Sequence, residues 1–411
     1  MRLNSKSIFK LLFYIILMDN VACAIVTPLL IGLLYPCTLD TACKALVNTH
    51  NLALLSGFLL LLSPSYLIMS PILGHLSDIL GRKIMLFWCL LLSFIGYSIL
   101  FAAINYQNIF LSLLAILLLN AGSSSMTIVQ AAIADISHHT TKSKYFIMVS
   151  LVMLPLYLIF AKVGDAIIDL NPTAIILKVL ITAFAFLATL GNLIFISKYL
   201  PEIRHTKNLH SNKHNFSHFE KIISIFNKDI IILLLLLGFF QFGTSIYYES
   251  ITAYLINYYH ATENDLAIFL SYKVLIMTIS LLFVYPLLLK YIANKNIIFY
   301  CLLLCSLGIL GDVFVNKNLL EWIFIIPFTM GEILFIPTVW TMLSDAGNKN
   351  NQGIIMGIKG SIWSLAWSMG LSAGNKLNIT LTPSIAISSA LIMIVGCFIL
   401  LAQLKQRTNS R

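Results

Sequence analysis

The chain reads as an all-α integral membrane protein with twelve transmembrane helices in two six-helix bundles. Three observations predict this. Apolar residues make up 59% of the chain, charged residues 10%, and mean hydropathy is +0.92, whereas soluble domains carry about 25% charged residues. The 411 residues resolve into twelve apolar runs, and one crossing needs about 20 residues. One long polar interruption divides the runs six and six.

The runs are 8–34, 51–73, 84–103, 109–134, 145–165, 174–199, 229–256, 265–289, 296–315, 320–343, 353–373 and 384–404. Each is rich in Leu, Ile and Phe on all faces, as lipid-exposed helices are. None alternates with period two, which argues against a barrel. The first run is full length without a small-residue cleavage site, so it reads as a span rather than a cleavable leader. The interruption at 198–228 marks a linker. The expected domains are an N-terminal bundle at 1–200, a linker at 201–228 and a C-terminal bundle at 229–411. Spans four and ten end in similar steps, Ile133-Ala134-Asp135 and Leu343-Ser344-Asp345, a faint echo of a parallel repeat.

Basic residues set the orientation. With the N-terminus inside, nineteen Lys and Arg fall in cytoplasmic segments and four (Lys44, Lys178, Lys317, Lys376) in outer loops. Both termini are therefore expected in the cytoplasm, and the net charge of +10 is a topology signal that calls for no nucleic acid. The expected location is the bacterial inner (cytoplasmic) membrane.

Asp19 lies near the middle of the first span, and Glu332 lies deep in the tenth. Glu249 is nearer the outer end of the seventh. A charge at a helix centre costs roughly 2.5–3.5 kcal/mol on insertion scales. Such residues face water-filled cavities, where they bind protons, ions or substrate, or they pair statically to fix packing. Asp19 shares a helical face with Ala22, Cys23, Val26 and Thr27. Glu249 follows a polar face of Gln241, Ser245, Tyr248 and Thr252. Lys273, well inside span eight, is a candidate partner of Glu249 or of an anionic substrate. Lys162 and Lys359 are nearer span ends and are expected to snorkel. Asn120, Ser123, Ser124, Thr127 and Gln130 recur at helical spacing in span four, as a solute-lining face or as small packing residues. Tyr247, Tyr248, Trp340, Trp363 and Trp367 can stack on a substrate or fill space.

Between spans two and three stands Gly74-His75-Leu76-Ser77-Asp78-Ile79-Leu80-Gly81-Arg82-Lys83. It resembles the G-x-L-x-D-x-x-G-R-[KR] signature of the major facilitator superfamily, a resemblance that span count and topology extend over the whole chain. It implies the major facilitator fold and a cytoplasmic latch built on Gly74, Asp78, Gly81, Arg82 and Lys83. Gly74 and Gly81 are expected to permit a tight interhelical turn. Asp78 can accept from a helix N-terminus, and Arg82 can hold a carboxylate. Shorter segments are similar to the tetracycline-resistance branch of drug–proton antiporters. They are Leu17-Met18-Asp19 with Pro28, Ala132 to Ile136, Tyr199-Leu200-Pro201-Glu202, and Gln352 to Ser361.

The departures are as specific. Ile116 stands where related antiporters carry an Arg in span four. Phe160-Ala161-Lys162-Val163-Gly164 replaces their Gly-Pro motif. The second latch has decayed to Leu289-Lys290-Tyr291-Ile292-Ala293-Asn294-Lys295. No G-x-x-x-x-G-K-[ST] loop offers ATP as an energy source, and no catalytic triad or metal-ligand set suggests an enzyme, a cofactor or a metal. Cys37 and Cys43 share the first outer loop and are spaced for a small disulfide. His205, His210, His214 and His218 crowd a solvated linker.

The expected function is alternating-access, proton-coupled transport of a small organic solute by a monomer. Export by antiport and uptake by symport both remain open. A non-transporting sensor or assembly factor on a transporter fold is the alternative from another class.

Overall fold

The computed structural model describes residues 4–34, 49–106, 108–170, 175–203, 226–314, 318–380 and 383–409, and among them no strand forms. Most of the linker, its four histidines, Cys37 and Cys43 lie outside the described residues. The first half contains α1 (Ser5–Leu34), α2 (Thr49–Leu80), α3 (Arg82–Tyr106), α4 (Ile109–Gly122), α5 (Ser125–Ile136), α6 (His139–Leu151), α7 (Tyr157–Leu170) and α8 (Ile175–Tyr199). The second contains α9 (Lys228–Tyr259), α10 (Glu263–Ile279), α11 (Tyr285–Tyr291), α12 (Asn294–Phe314), α13 (Asn318–Ala346), α14 (Gln352–Thr380) and α15 (Pro383–Asn409).

These helices account for the twelve expected spans once three pairs are joined. The pair α4 and α5 forms span four, interrupted by a turn at Ser123 and Ser124. Spans five (α6 and α7) and eight (α10 and α11) each pass through a π-turn, at Val152–Leu156 and Ser280–Val284. The first π-turn contains Pro155, and the second ends two residues before Pro286. Proline has no N–H to continue the ladder, so the register slips there. Eleven of these segments are long and apolar enough to cross a membrane. The 32-residue α2 occupies the place of the second span.

In the first bundle α1 packs on α7 and α8, and α3 packs on α4 and α8. In the second, α9 packs on α14 and α15, and α12 packs on α13 and α15. Leu12, Ile16, Leu86, Leu90 and Val149 are buried in the first core; Leu237, Phe240, Leu302, Phe335 and Val339 are buried in the second. Many large apolar side chains remain exposed on the outer faces, including Ile68, Leu180, Leu187, Phe283 and Ile392. Those faces suit lipid, because acyl chains solvate them as well as another helix does.

The bundles meet along α2 and α14, α5 and α14, α6 and α13, and α7 and α10. Glycines set how closely α2 and α14 approach. Gly74 and Gly353 face each other backbone to backbone, and a Cβ on Gly357 would lie 2.6 Å from Pro71 Cα. Gly74 therefore lies within α2 and serves close approach, not the turn expected of it. The turn belongs to Gly81, whose φ of 108° is open to glycine at no steric cost.

Gly357→Val should force α2 from α14, because the obstructing atoms are backbone and cannot rotate away. Overpacking of this kind costs about 1–3 kcal/mol. Thermal unfolding of the detergent-solubilised protein should show a midpoint several degrees lower; an unchanged midpoint would mean that this close approach does not hold the seam.

Candidate functional site

The face of the molecule that carries both chain ends is closed by charged groups. Asp78, at the end of α2, accepts the backbone N–H groups of Gly353 and Ile354 at 2.8 and 2.9 Å. Those are the first free donors of α14, where a carboxylate meets the positive end of the helix dipole. Arg82 pairs with Asp78 at 2.6 Å and with Asp135 at 2.8 Å. Its guanidinium also donates to Ser77 Oγ. With 3% of its surface exposed, Arg82 links α2, α3 and α5 and fixes the carboxylate that caps α14. A second ion pair, Lys142 to Asp345 at 2.6 Å, joins α6 to α13. Lys83 turns elsewhere: its Nζ donates to Ser197 O at 2.9 Å, near the C-terminus of α8 in its own bundle.

Beyond this closure a cavity of about 680 Å³ lies between the bundles. Its charged lining residues are Asp19, Lys273 and Glu332. Lys273 Nζ stands 3.6 Å from Glu332 Oε2 and 3.1 Å from the centre of the Tyr248 ring. Tyr248 donates its hydroxyl to Glu332. Lys273 and Glu332 are 2% and 4% exposed, so they form a closed, internally neutral unit. Asp19, on the opposite wall, accepts only the Ser125 hydroxyl, at 2.6 Å, and among the described residues no Lys, Arg or His pairs with it. With Asp19 ionised, the cavity carries one negative charge that no cation in its lining offsets. Tyr66, Tyr97, Tyr248, Trp363 and Trp367 give its walls a strongly aromatic character.

Several sequence expectations need correction. Glu249 lies against Gly374 of α14 and does not line the cavity, so Lys273 takes Glu332 as its partner. Of the expected lining residues, Asn120, Ser123 and Tyr248 do face the cavity. Ser124, Thr127 and Gln130 do not. Their selection assumed one continuous helical face, and the turn at Ser123 and Ser124 rotates that face. After the break Ser125 and Met126 point inward, while Thr127 bonds Ser70 at 2.8 Å and Gln130 meets Lys359. Gln241 and Ser245 are buried within the second half, Ser245 against Gly370 of α14. Trp340 and Tyr247 are buried, and Tyr247 donates to Asp312.

Of the two lysines expected to snorkel, Lys359 does not, and Lys162 bonds across the seam. Lys162 donates to Ala267 O at 2.7 Å and Ser271 Oγ at 3.2 Å, bridging α7 to α10. Lys359 is buried at 3% exposure. Snorkelling needs a free path to water along the helix surface; Lys359 is enclosed and has none, while half-buried Lys162 spends its ammonium on the partner bundle.

Other lining residues carried weaker signals. Met153 and Leu154 are adjacent, yet both face the cavity, because the π-turn advances the helix face. Pro155 was the sequence mark of that turn. Ser364 and Ser368 follow Trp363 and Trp367 on α14, each pair at helical spacing.

The Lys273–Glu332 unit should be strongly coupled. Lys273→Met leaves the Glu332 carboxylate without its cation, and breaking a buried pair costs about 3–5 kcal/mol. Lys273→Met with Glu332→Leu should restore much of that loss. The check is a double-mutant cycle on thermal unfolding; additive losses would show that the two residues do not interact.

Comparisons with known proteins agree with this architecture. Among solved structures the chain is similar to the human organic anion transporter MFSD10 (TETRAN), with TM-score 0.76 and 15% identity, covering 97% of this chain and 100% of that one. It is similar to the E. coli fucose:proton symporter FucP, with TM-score 0.72 and 14% identity, covering 96% and 97%. It is also similar to a bacterial homologue of the iron transporter ferroportin in an outward-facing state, with TM-score 0.75 and 12% identity, covering 99% and 100%. At these identities the likeness is one of fold. No curated protein sequence matches the chain. The family model described as the Major Facilitator Superfamily matches residues 14–371, and the chain belongs to that superfamily of membrane transporters.

Proposed function

We propose that the chain is a proton-coupled secondary transporter that exchanges protons for a small organic cation with an aromatic or apolar body. The observation that carries this reading is the isolation of Asp19. Its carboxylate faces the cavity between the bundles with a hydroxyl for company and, among the described residues, no cation beside it, while the other two charged groups in that cavity pair with each other. A carboxylate so placed attracts either a proton or an organic cation, and occupancy by one excludes the other. Aromatic faces favour cations further. Alternating access then moves each occupant in turn past the two bundles.

The direction follows from that competition. One carboxylate shared by proton and solute gives exchange, and the local matches to the tetracycline exporters also favour export. Both termini are placed in the cytoplasm by the basic-residue bias. On that orientation the latch closes the cytoplasmic side and the present state faces outward. Proton uptake at Asp19 from outside would return the carrier after solute release. Symport is the second reading, favoured by the missing Gly-Pro motif in span five and by the similarity to a fucose:proton symporter.

The test is binding of tetraphenylphosphonium to the purified protein across a pH series. Affinity should fall as pH is lowered, because protons displace the cation from Asp19. Asp19→Asn should lose at least tenfold in affinity together with the pH dependence. Binding that strengthens on acidification would favour symport, and native-like binding by Asp19→Asn would overturn the role of that carboxylate.

A further inference from the structure

Lys359 is a buried cation that the proposed exchange at Asp19 does not use. It sits on α14 at the seam between the bundles, 3% exposed. Its ammonium donates to Gln130 Oε1 on α5 and stands 4.2 Å from the centre of the Trp340 ring on α13. No carboxylate pairs with it among the described residues. Leaving an ammonium without a counter-ion at this depth is costly, and the arrangement calls for a use.

The position supplies one. Met126, Ile336 and Trp363 line the cavity. Gln130, Trp340 and Lys359 each lie four residues from one of them, on the same face of the same helix and about 6 Å deeper. Met153, itself in the lining, accepts from Gln130 Nε2 at 3.7 Å. Gln130, Trp340 and Lys359 therefore lie directly beneath the lining of the cavity, one helical turn toward the latched face. They come from both bundles: Gln130 from the first, Trp340 and Lys359 from the second. Opening the latched face separates α5 from α14 and dismantles this layer.

We infer that Lys359 is a state-dependent cation of the transport site, covered while the latched face is closed and exposed to the solute when that face opens. This rests on the cation reading of the cavity given above. With the latch closed, the cavity carries Asp19 and a neutral Lys273–Glu332 pair, and attracts a cation. With the latch closed, Gln130 and Trp340 hold the Lys359 ammonium back from the cavity; with the latch open, it meets the solute directly and opposes the attraction of Asp19. A like charge that moves from about 10 Å to about 5 Å from the solute cation, at an effective dielectric of about 20, changes affinity by roughly tenfold. The two faces of the carrier then bind the same cation unequally, with no change in the lining residues themselves. Lys359 is a specificity-determining residue in this scheme.

The experiment measures saturable tetraphenylphosphonium transport in membrane vesicles of both orientations. For the native protein the half-saturation concentration should be about tenfold higher from the face that carries the termini. Lys359→Met should bring the two values together, and Lys359→Arg should keep them apart. Membrane level and monodispersity of each variant are matched first. Unequal values that survive Lys359→Met would overturn the inference.

A second measurement needs no solute. The membrane-impermeant amine reagent sulfosuccinimidyl acetate is applied to the native protein and to Asp78→Asn with Lys142→Gln, with exposed Lys376 as the labelled reference. Lys359 should be protected in the native protein and acetylated in the latch variant. Protection in a folded latch variant would overturn the inference. If tetraphenylphosphonium is transported from neither face, the cation reading fails, and the labelling result alone decides whether Lys359 is uncovered by opening.

Discussion

The Asp78 carboxylate, seated on the first two N–H groups of α14, is the contact on which the arrangement of the two bundles depends. It joins a helix of the first bundle to the N-terminus of a helix in the second. Such a contact is strong for two reasons: the donors are otherwise unpaired, and the carboxylate meets a helix dipole in a partly buried setting. Arg82 holds Asp78 in place and is itself held by Asp135. The glycines of α2 and α14 permit the approach that makes the contact short. Remove the cap and the close approach loses its anchor; fill the glycines and the cap cannot form.

From this closure follows the shape of the cavity. Because α14 is drawn against α2 at one end, its outer half is left to carry Trp363, Ser364, Trp367 and Ser368 along the cavity wall. The layer beneath the cavity, on which its floor rests, is made where the bundles are pressed together, by Gln130, Trp340 and Lys359. The charges then fall into an order along the transport axis. The latch contains Asp78, Arg82 and Asp135, the layer beneath the cavity contains Lys359, and the cavity contains Asp19 and the Lys273–Glu332 pair. Each ionisable group in this series is held either by an opposite charge or by a polar group from another helix. Of these groups Asp19 both lines the cavity and has no opposite charge beside it among the described residues, and that sets it apart as the group open to exchange.

Much of the fold was legible in the chain because the bilayer imposes a one-dimensional rule. Apolar runs of about 20 residues must be helices, and the polar stretch at 198–228 had to divide them. The motif from Gly74 to Lys83 was legible because each of its residue types has a local reason. The cavity was legible only at its charges. Asp19, Lys273 and Glu332 stand out because such groups are expensive in lipid, whereas Asn120, Ser123 and Tyr248 share a pattern that also selects Ser124, Thr127, Gln130, Gln241 and Ser245. Polar spacing on a helix shows that a face is polar. It does not show whether that face meets water or another helix.

The sequence by itself determined the helical class, the number of spans, the six-and-six division and the identity of the buried charges. Hydropathy and the cost of charge in hydrocarbon are properties of residues one at a time. Tertiary structure decided the partners. Lys273 meets Glu332 rather than Glu249, Lys359 meets Gln130 rather than the aqueous interface, and the span-four face turns at Ser123 and Ser124. Each outcome depends on where a second helix lies and how it is rotated. That follows from close packing at glycines, from the slips at Pro155 and Pro286, and from the cap on α14, none of which a single helix can specify alone.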